Sequence, residues 1–183
     1  MKKVMTPEFR VSYPSIFKPR AFADGMEPKF SLVMLFDKKT NISSLKKLAA
    51  EAVAEKWPDK AKRPKNLKNP FRDGADRPDT AGYEGCIFVA ASSKQKPGVV
   101  DANVQPIIDE SEVYAGCYCR ATVTCYAYDQ MGNRGVAFGL QNIQKLRDGE
   151  AFSGKSKAED DFEVVDSGEV FKAEETSEED FLG

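Results

Sequence analysis

Seventeen residues, VYAGCYCRATVTCYAYD from Val113 to Asp129, constrain the fold of this chain more than any other stretch. Read with a period of two, one set is Val113, Ala115, Cys117, Cys119, Ala121, Val123, Cys125 and Ala127. All are small and apolar, which marks the face of a β-strand turned towards a core. The other set is Tyr114, Gly116, Tyr118, Arg120, Thr122, Thr124, Tyr126 and Tyr128. A face that needed only to be soluble would carry Lys, Glu and Ser rather than four tyrosines and an arginine. Tyr and Thr are also strong strand formers, so a plain structural strand fits the same residues. A bend at Gly116 would interrupt the alternation.

The remaining elements follow the same logic. FRVSYPSIF (9–17) and KFSLVMLFD (29–37) read as strands, joined by the turn-like DGMEP. Both faces of the second are apolar, which places it centrally. ISSLKKLAAEAVAEKW (42–57) reads as a helix, with Asn41 as its N-cap and Pro58 as its stop. CIFVAASS (86–93) is an apolar strand. GVAFGLQNIQ (135–144) is the hairpin partner of the tyrosine strand across the turn DQMGNRG. Five or so strands and one helix predict a mainly β chain, a small OB-fold-like barrel with a packed helix.

Charge divides the chain. Lys and Arg total 27 against 29 Asp and Glu, yet eleven of the acids lie between Glu159 and Gly183, where Lys172 is the one base. The remainder is therefore a basic body, which suits a polyanionic partner. We expect a domain over 1–153 and a disordered acidic tail over 154–183. Between Pro58 and Gly85 the pattern dissolves into a long basic loop with Lys62, Arg63, Lys65, Lys68, Phe71, Arg72 and Arg77. Loops of that length commonly serve function.

Several classes are disfavoured. The chain has no histidine, which removes the commonest general base and the usual triads. Three of its four cysteines fall in phase on one strand face, which reads as small core residues, and no metal or other cofactor is expected. No apolar run is long enough to span a bilayer, and the basic N-terminus lacks a signal-peptide core, so a cytoplasmic location is expected.

Tyrosines and an arginine on an open sheet face, beside a basic loop, suit a single strand: bases stack on rings and phosphates meet cations. No helix has the basic face needed for a major groove. The DNA-binding candidates are Tyr114, Tyr118, Arg120, Tyr126 and Tyr128 on the strand, with Lys62, Arg63, Lys65, Phe71, Arg72 and Arg77 on the loop. Two other readings compete. One is a protein–protein adaptor that acts through its tail. The other is a magnesium-dependent nuclease using Asp73, Asp76 and Asp79, although such Asp residues also cap turns. Assembly as a homodimer is compatible with the sequence.

The run EVYAGCYCRATVTCYAYDQMGNRGVAFGLQNIQKLRDGE, with FRDGADRPDTAGYEGCIFVAASS and KPGVVDANVQPIID, resembles the Enc34-like family of bacteriophage single-stranded-DNA-binding proteins. The likeness extends from about Thr6 to Phe152. It implies an OB-fold, sequence-independent binding of single-stranded DNA, and a role in phage replication or recombination without catalysis. It also suggests a role for the tail, because single-stranded-DNA-binding proteins of bacteria and short-tailed coliphages commonly end in acidic residues with a terminal or near-terminal Phe that docks replication proteins. The matching residues are Glu178, Glu179, Asp180 and Phe181, although Leu182 and Gly183 follow the Phe here.

Overall fold

The computed structural model describes residues 1–153 and 161–165. Among them, eight strands form one sheet: β1 (Val4–Met5), β2 (Phe9–Arg20), β3 (Lys29–Asp37), β4 (Arg72–Asp73), β5 (Cys86–Ser93), β6 (Gly98–Val100), β7 (Tyr118–Gln130) and β8 (Asn133–Arg147). β7 pairs with β2, β2 with β3, β3 with β5 and β5 with β8, and β8 returns to β7. Only the β5–β8 pairing in this ring is parallel. The ring is a five-stranded OB-like barrel, as the sequence leads one to expect.

β3 is apolar on both faces because one lines the barrel and the other is partly covered. Leu32, Met34 and Phe36 enter the barrel with Phe9, Val11, Val89, Phe138 and Leu140. Val33 and Leu35 join a second cluster outside it, with Tyr83, Phe88 and Phe152. Each large side chain so buried contributes about 1.5–3 kcal/mol.

The helix α1 (Ser43–Lys56) buries Leu45, Leu48, Ala49 and Ala52 and packs mainly against β7, touching β1 and β8 as well. Ile42, not Asn41, holds the cap position, and Asn41 accepts the Ser43 N–H at its Oδ1 (3.0 Å). No helix among the described residues is long and apolar enough to cross a membrane.

β7 starts at Tyr118 because the backbone turns ahead of it at Gly116, which stands at φ 113°. A side chain there would meet the Glu150 carbonyl oxygen at 2.1 Å. Further on, β8 carries one residue more than β7 between Thr122↔Asn142 and Val123↔Leu140, while Val123 and Cys125 stay in phase in the core. Thr124, on the opposite face, is buried as well. Met131 and Gly132, at φ 52° and 83°, close the β7–β8 hairpin.

The long basic loop is more ordered than its composition suggests. It holds β4 and two short 3-10 turns, at Lys60–Lys62 and Gly74–Asp76. Of the expected tail, only residues 161–165 are described, and Phe162 and Val164 there are exposed. Glu178, Glu179, Asp180 and Phe181 lie outside the described residues.

Candidate nucleic-acid interface

An open groove of about 710 Å3 runs over the outer surface of β3 and β5. Its floor is made of small residues: Ser31 lies opposite Ser92, and Val33 opposite Ala90. Small floor residues let a planar ligand come close to the sheet. One wall carries Tyr13 and Phe22, which are 58% and 63% exposed. The other carries Lys68, Arg72 and Arg77. Among the described residues, no carboxylate lines the groove. A smaller hollow continues it past Tyr13 and Phe22 to Ser15 and Arg20.

The aromatic wall depends on a bulge. β2 pairs with β3 at Ser12↔Val33 and again at Ser15↔Ser31, so β2 carries one residue more than its partner between these points. Tyr13 sits there at φ 45°, just before Pro14. A left-handed backbone costs a residue with a side chain about 1–2 kcal/mol, and bulges commonly re-aim side chains beside functional sites. Beneath the bulge, the buried Ser12 Oγ and Tyr83 hydroxyl lie 3.0 Å apart in a hydrogen bond. Burial pushes the Tyr83 hydroxyl above its usual pKa and keeps it neutral.

The cationic wall is built on Phe88. The guanidinium carbons of Arg72 and Arg77 lie 5.0 and 5.8 Å from the centre of its ring. Tyr83 supports that ring from 5.1 Å, centre to centre. Arg72 is placed by β4, where it pairs with Phe88. Arg77 follows the Gly74–Asp76 turn, which Asp73 caps by accepting the Ala75 N–H at 2.9 Å. That bond, and then the bond from Lys38, hold the Asp73 carboxyl below its ordinary pKa. Gly74 is required because a Cβ would overlap the Tyr83 carbonyl oxygen.

The residues singled out in the sequence are not brought together in one patch. Arg72, Arg77 and Tyr128 line the groove, Tyr128 facing Gly135 across the hairpin. Phe71 is half-buried and packs edge-on against Phe138 (5.7 Å), so it fastens the loop to the barrel. Arg63 donates its Nε to the Trp57 carbonyl (2.9 Å), while Lys62 and Lys65 are exposed and lie outside the groove lining. Tyr126 belongs to a separate cleft with Ala52, Glu55 and Lys56. Arg120 donates its Nε to Gln144 (2.7 Å) in another hollow, beside Met5 and Val104.

Tyr114 and Tyr118 mark the far end of β7, where their groups are taken by the protein itself. The Tyr114 hydroxyl donates to the Gly149 carbonyl (2.8 Å). The Tyr118 ring has the guanidinium of Arg147 at 3.8 Å and that of Arg10 at 5.3 Å. Arg10 also reaches the Phe152 ring (4.4 Å) and donates to the carbonyls of Gly116 and Glu150. Together these interactions strap residues 147–152 to the barrel.

Tyr13, Phe22, Lys68, Tyr83 and Phe88 are groove residues that the tyrosine-strand reading passes over. A signal for Tyr13 was present. Phe9 and Val11 are buried at odd positions and Ile16 at an even one, a change of phase that requires an extra residue between them.

Among the described residues, no group of three or more His, Cys, Asp or Glu is arranged to hold a metal ion. Asp73 of the Asp73–Asp76–Asp79 set spends its carboxylate on the turn and on Lys38. The cysteines are free, and burial pushes the Cys125 thiol up to about 12.

The family described as the single-stranded-DNA-binding protein of Enterobacter phage Enc34 matches residues 2–182 of this chain. Protein p50 of Acyrthosiphon pisum secondary endosymbiont phage 1 is 33% identical over 162 residues, 83% of this chain and 87% of that protein. The solved structure of the bacteriophage Enc34 single-stranded-DNA-binding protein, in complex with single-stranded DNA, matches with a TM-score of 0.70 at 25% identity. That match covers 82% of this chain and 89% of that one. The crystal structure of gp2.5, a single-stranded DNA binding protein encoded by bacteriophage T7, matches with a TM-score of 0.60 at 14% identity, over 86% of this chain and 98% of that one. This last likeness is one of fold.

Proposed function

The chain belongs to the family of the Enterobacter phage Enc34 single-stranded-DNA-binding protein, and on that premise we propose that it binds single-stranded DNA without sequence preference in the groove over β3 and β5. The observation that carries this reading is the groove itself: exposed rings on one wall, three cations on the other, small residues between, and no carboxylate among the described residues that line it. Stacking and phosphate contacts tolerate any base, which suits a protein that coats strands during replication or recombination in the host cytoplasm. Of the residues expected from sequence, Arg72, Arg77 and Tyr128 stand where the proposal needs them. The acidic tail competes with DNA for the cations and recruits replication proteins through Glu178, Glu179, Asp180 and Phe181. Its net charge of −10 between Glu159 and Gly183 supports that role.

Fluorescence anisotropy with labelled oligo-dT and a duplex of equal length tests the reading across a salt series. We expect tight binding to oligo-dT, weak binding to duplex, and affinity that falls as salt rises. Equal affinity for both would refute the single-strand preference. Removing residues 154–183 should tighten oligo-dT binding at low salt, and unchanged affinity would sink the competitive role of the tail.

A further inference from the structure

We propose that the outer face of β7 and β8 docks an acidic peptide segment of a partner protein, with an apolar side chain entering a hollow there and a carboxylate meeting Arg120. The site stands apart from the groove and does not depend on what the groove binds. In the sheet, β1 flanks β7, β7 pairs with β8, and β6 flanks β8. Across this run lies a hollow of about 170 Å3. Met5 of β1 lines one side, and Val100 of β6 with Val104 lines the other. The polar part of the floor is Arg120 and Thr122 of β7, opposite Gln144 and Asn142 of β8. The groove and the hollow share no lining residue.

Val104 is the residue that barrel packing does not account for. It is β-branched, stands at φ 61° and is 66% exposed. Left-handed backbone is uncommon for such a residue, persists only where the surroundings enforce it, and clusters at functional sites. Here a hydrogen-bond network enforces it. The Val104 N–H donates to the Asp101 carbonyl (3.0 Å), and Asp101 Oδ1 accepts the N–H groups of Asn103 and Gln105 (both 2.9 Å). Gln144 donates its Nε2 to the carbonyls of Asp101 and Ala102 (3.2 and 3.3 Å). Its Oε1 accepts the Arg120 Nε (2.7 Å). One network thus fixes the apolar rim and the arginine together. Met5, on the opposite rim, is 53% exposed, so both rims offer apolar surface to a ligand.

The lining selects the occupant. Arg120 is its one charged residue. Among the described residues, no ion pair includes Arg120. Its bond to Gln144 takes the Nε and leaves the terminal nitrogens, whose fork suits a carboxylate. No aromatic ring lines the hollow, so a base has nothing to stack on, which disfavours a second nucleic-acid site. Small-molecule sites commonly enclose about 300–1,000 Å3, whereas this hollow suits a single side chain. An acidic segment with one bulky apolar residue matches both the arginine and the rim.

The probe is a fluorescein-labelled hexapeptide with one leucine among acidic residues, titrated with the full chain by anisotropy. Two control peptides replace the acids by glutamine or the leucine by serine, and each should bind about tenfold more weakly. Arg120→Gln should weaken the acidic peptide about tenfold and leave the glutamine control unaffected. Val104→Gly relieves the left-handed backbone, so it should keep or raise the Tm while weakening the peptide about tenfold, a pair of results that misfolding does not give. Saturating oligo-dT should leave peptide affinity unchanged at about 0.15 M salt, where charges are screened beyond about 8 Å. Displacement of the peptide by oligo-dT would put it in the groove and overturn the proposal. So would equal binding of the three peptides, binding that survives both substitutions, or no binding at all. Binding seen only in a Phe181→Ala chain would assign the hollow to the chain's own tail, and self-association lost in Arg120→Gln would assign it to a second copy. Either result overturns the partner protein as occupant.

Discussion

Aromatic rings meet arginines at two places in this protein, with opposite results. At the start of β7, the Tyr118 ring is close to Arg147 and Arg10, and the Tyr114 hydroxyl is bonded to Gly149. Those rings hold the segment after β8 in place. In the groove, Arg72 and Arg77 share Phe88, and Tyr13 and Phe22 are left open. Both places combine aromatic rings with arginines. What differs is whether the chain returns to cover them: residues 148–152 fold back over the first set, whereas the groove has walls but no lid among the described residues. An aromatic–arginine cluster can serve a ligand only where its surfaces are not already used by the fold.

The comparison can be broken most forcefully at Phe88, the ring beneath both groove arginines. Phe88→Ala should destabilise the barrel by about 3–5 kcal/mol, read from the urea midpoint, and weaken oligo-dT binding as the arginines lose their support. Gly82→Ala strikes the strap instead. A Cβ there falls 2.3 Å from the Phe152 ring, on a backbone at φ 86°. The cost should be about 1–3 kcal/mol in thermal unfolding, with oligo-dT binding at low temperature retained.

Finer tests sharpen the contrast. Tyr13→Gly relieves the left-handed backbone and should raise stability by about 1 kcal/mol, while oligo-dT affinity falls about tenfold. A gain in both would mean that the bulge serves no ligand. Tyr118→Leu removes the ring that Arg147 and Arg10 stand over, which should cost about 1 kcal/mol of stability and leave oligo-dT affinity unchanged. A marked loss of affinity would return the far end of β7 to the DNA site. The smallest effect is expected from acid. Asp73 has a lowered pKa, so its cap is intact above the usual value of 3.8 and is lost as pH falls through that value and below. The protection of the Ala75 amide relative to a free amide at the same pH should fall over that range, and an unchanged protection factor would show that the cap holds nothing.

Much of the barrel could be read from the chain. The in-phase small residues of β7, the doubly apolar β3 and the Met131–Gly132 turn each state their place locally. The site was harder because it depends on curvature. On a flat strand, Tyr114, Tyr118, Arg120, Tyr126 and Tyr128 share a face. On a coiled strand wrapped into a barrel, beside a bulged partner, the same residues point to four separate surroundings. Phe71 looked like a stacking ring in a basic loop, but its nearest need was the gap beside Phe138. Tyr13 lay hidden in a strand whose change of phase looked like an ordinary imperfection.

The closure of the barrel also bears on how the protein is made. β8 joins β5, β6 and β7, yet among these strands it is the last to be synthesised. Until residue 147 has emerged, the edges of β5 and β7 that it will cover have no partner in their own chain. Non-local pairings of this kind fold slowly, in milliseconds to seconds, and open edges invite pairing between neighbouring chains. High-level synthesis should therefore lose material to aggregation at this step, before any DNA is available to bind.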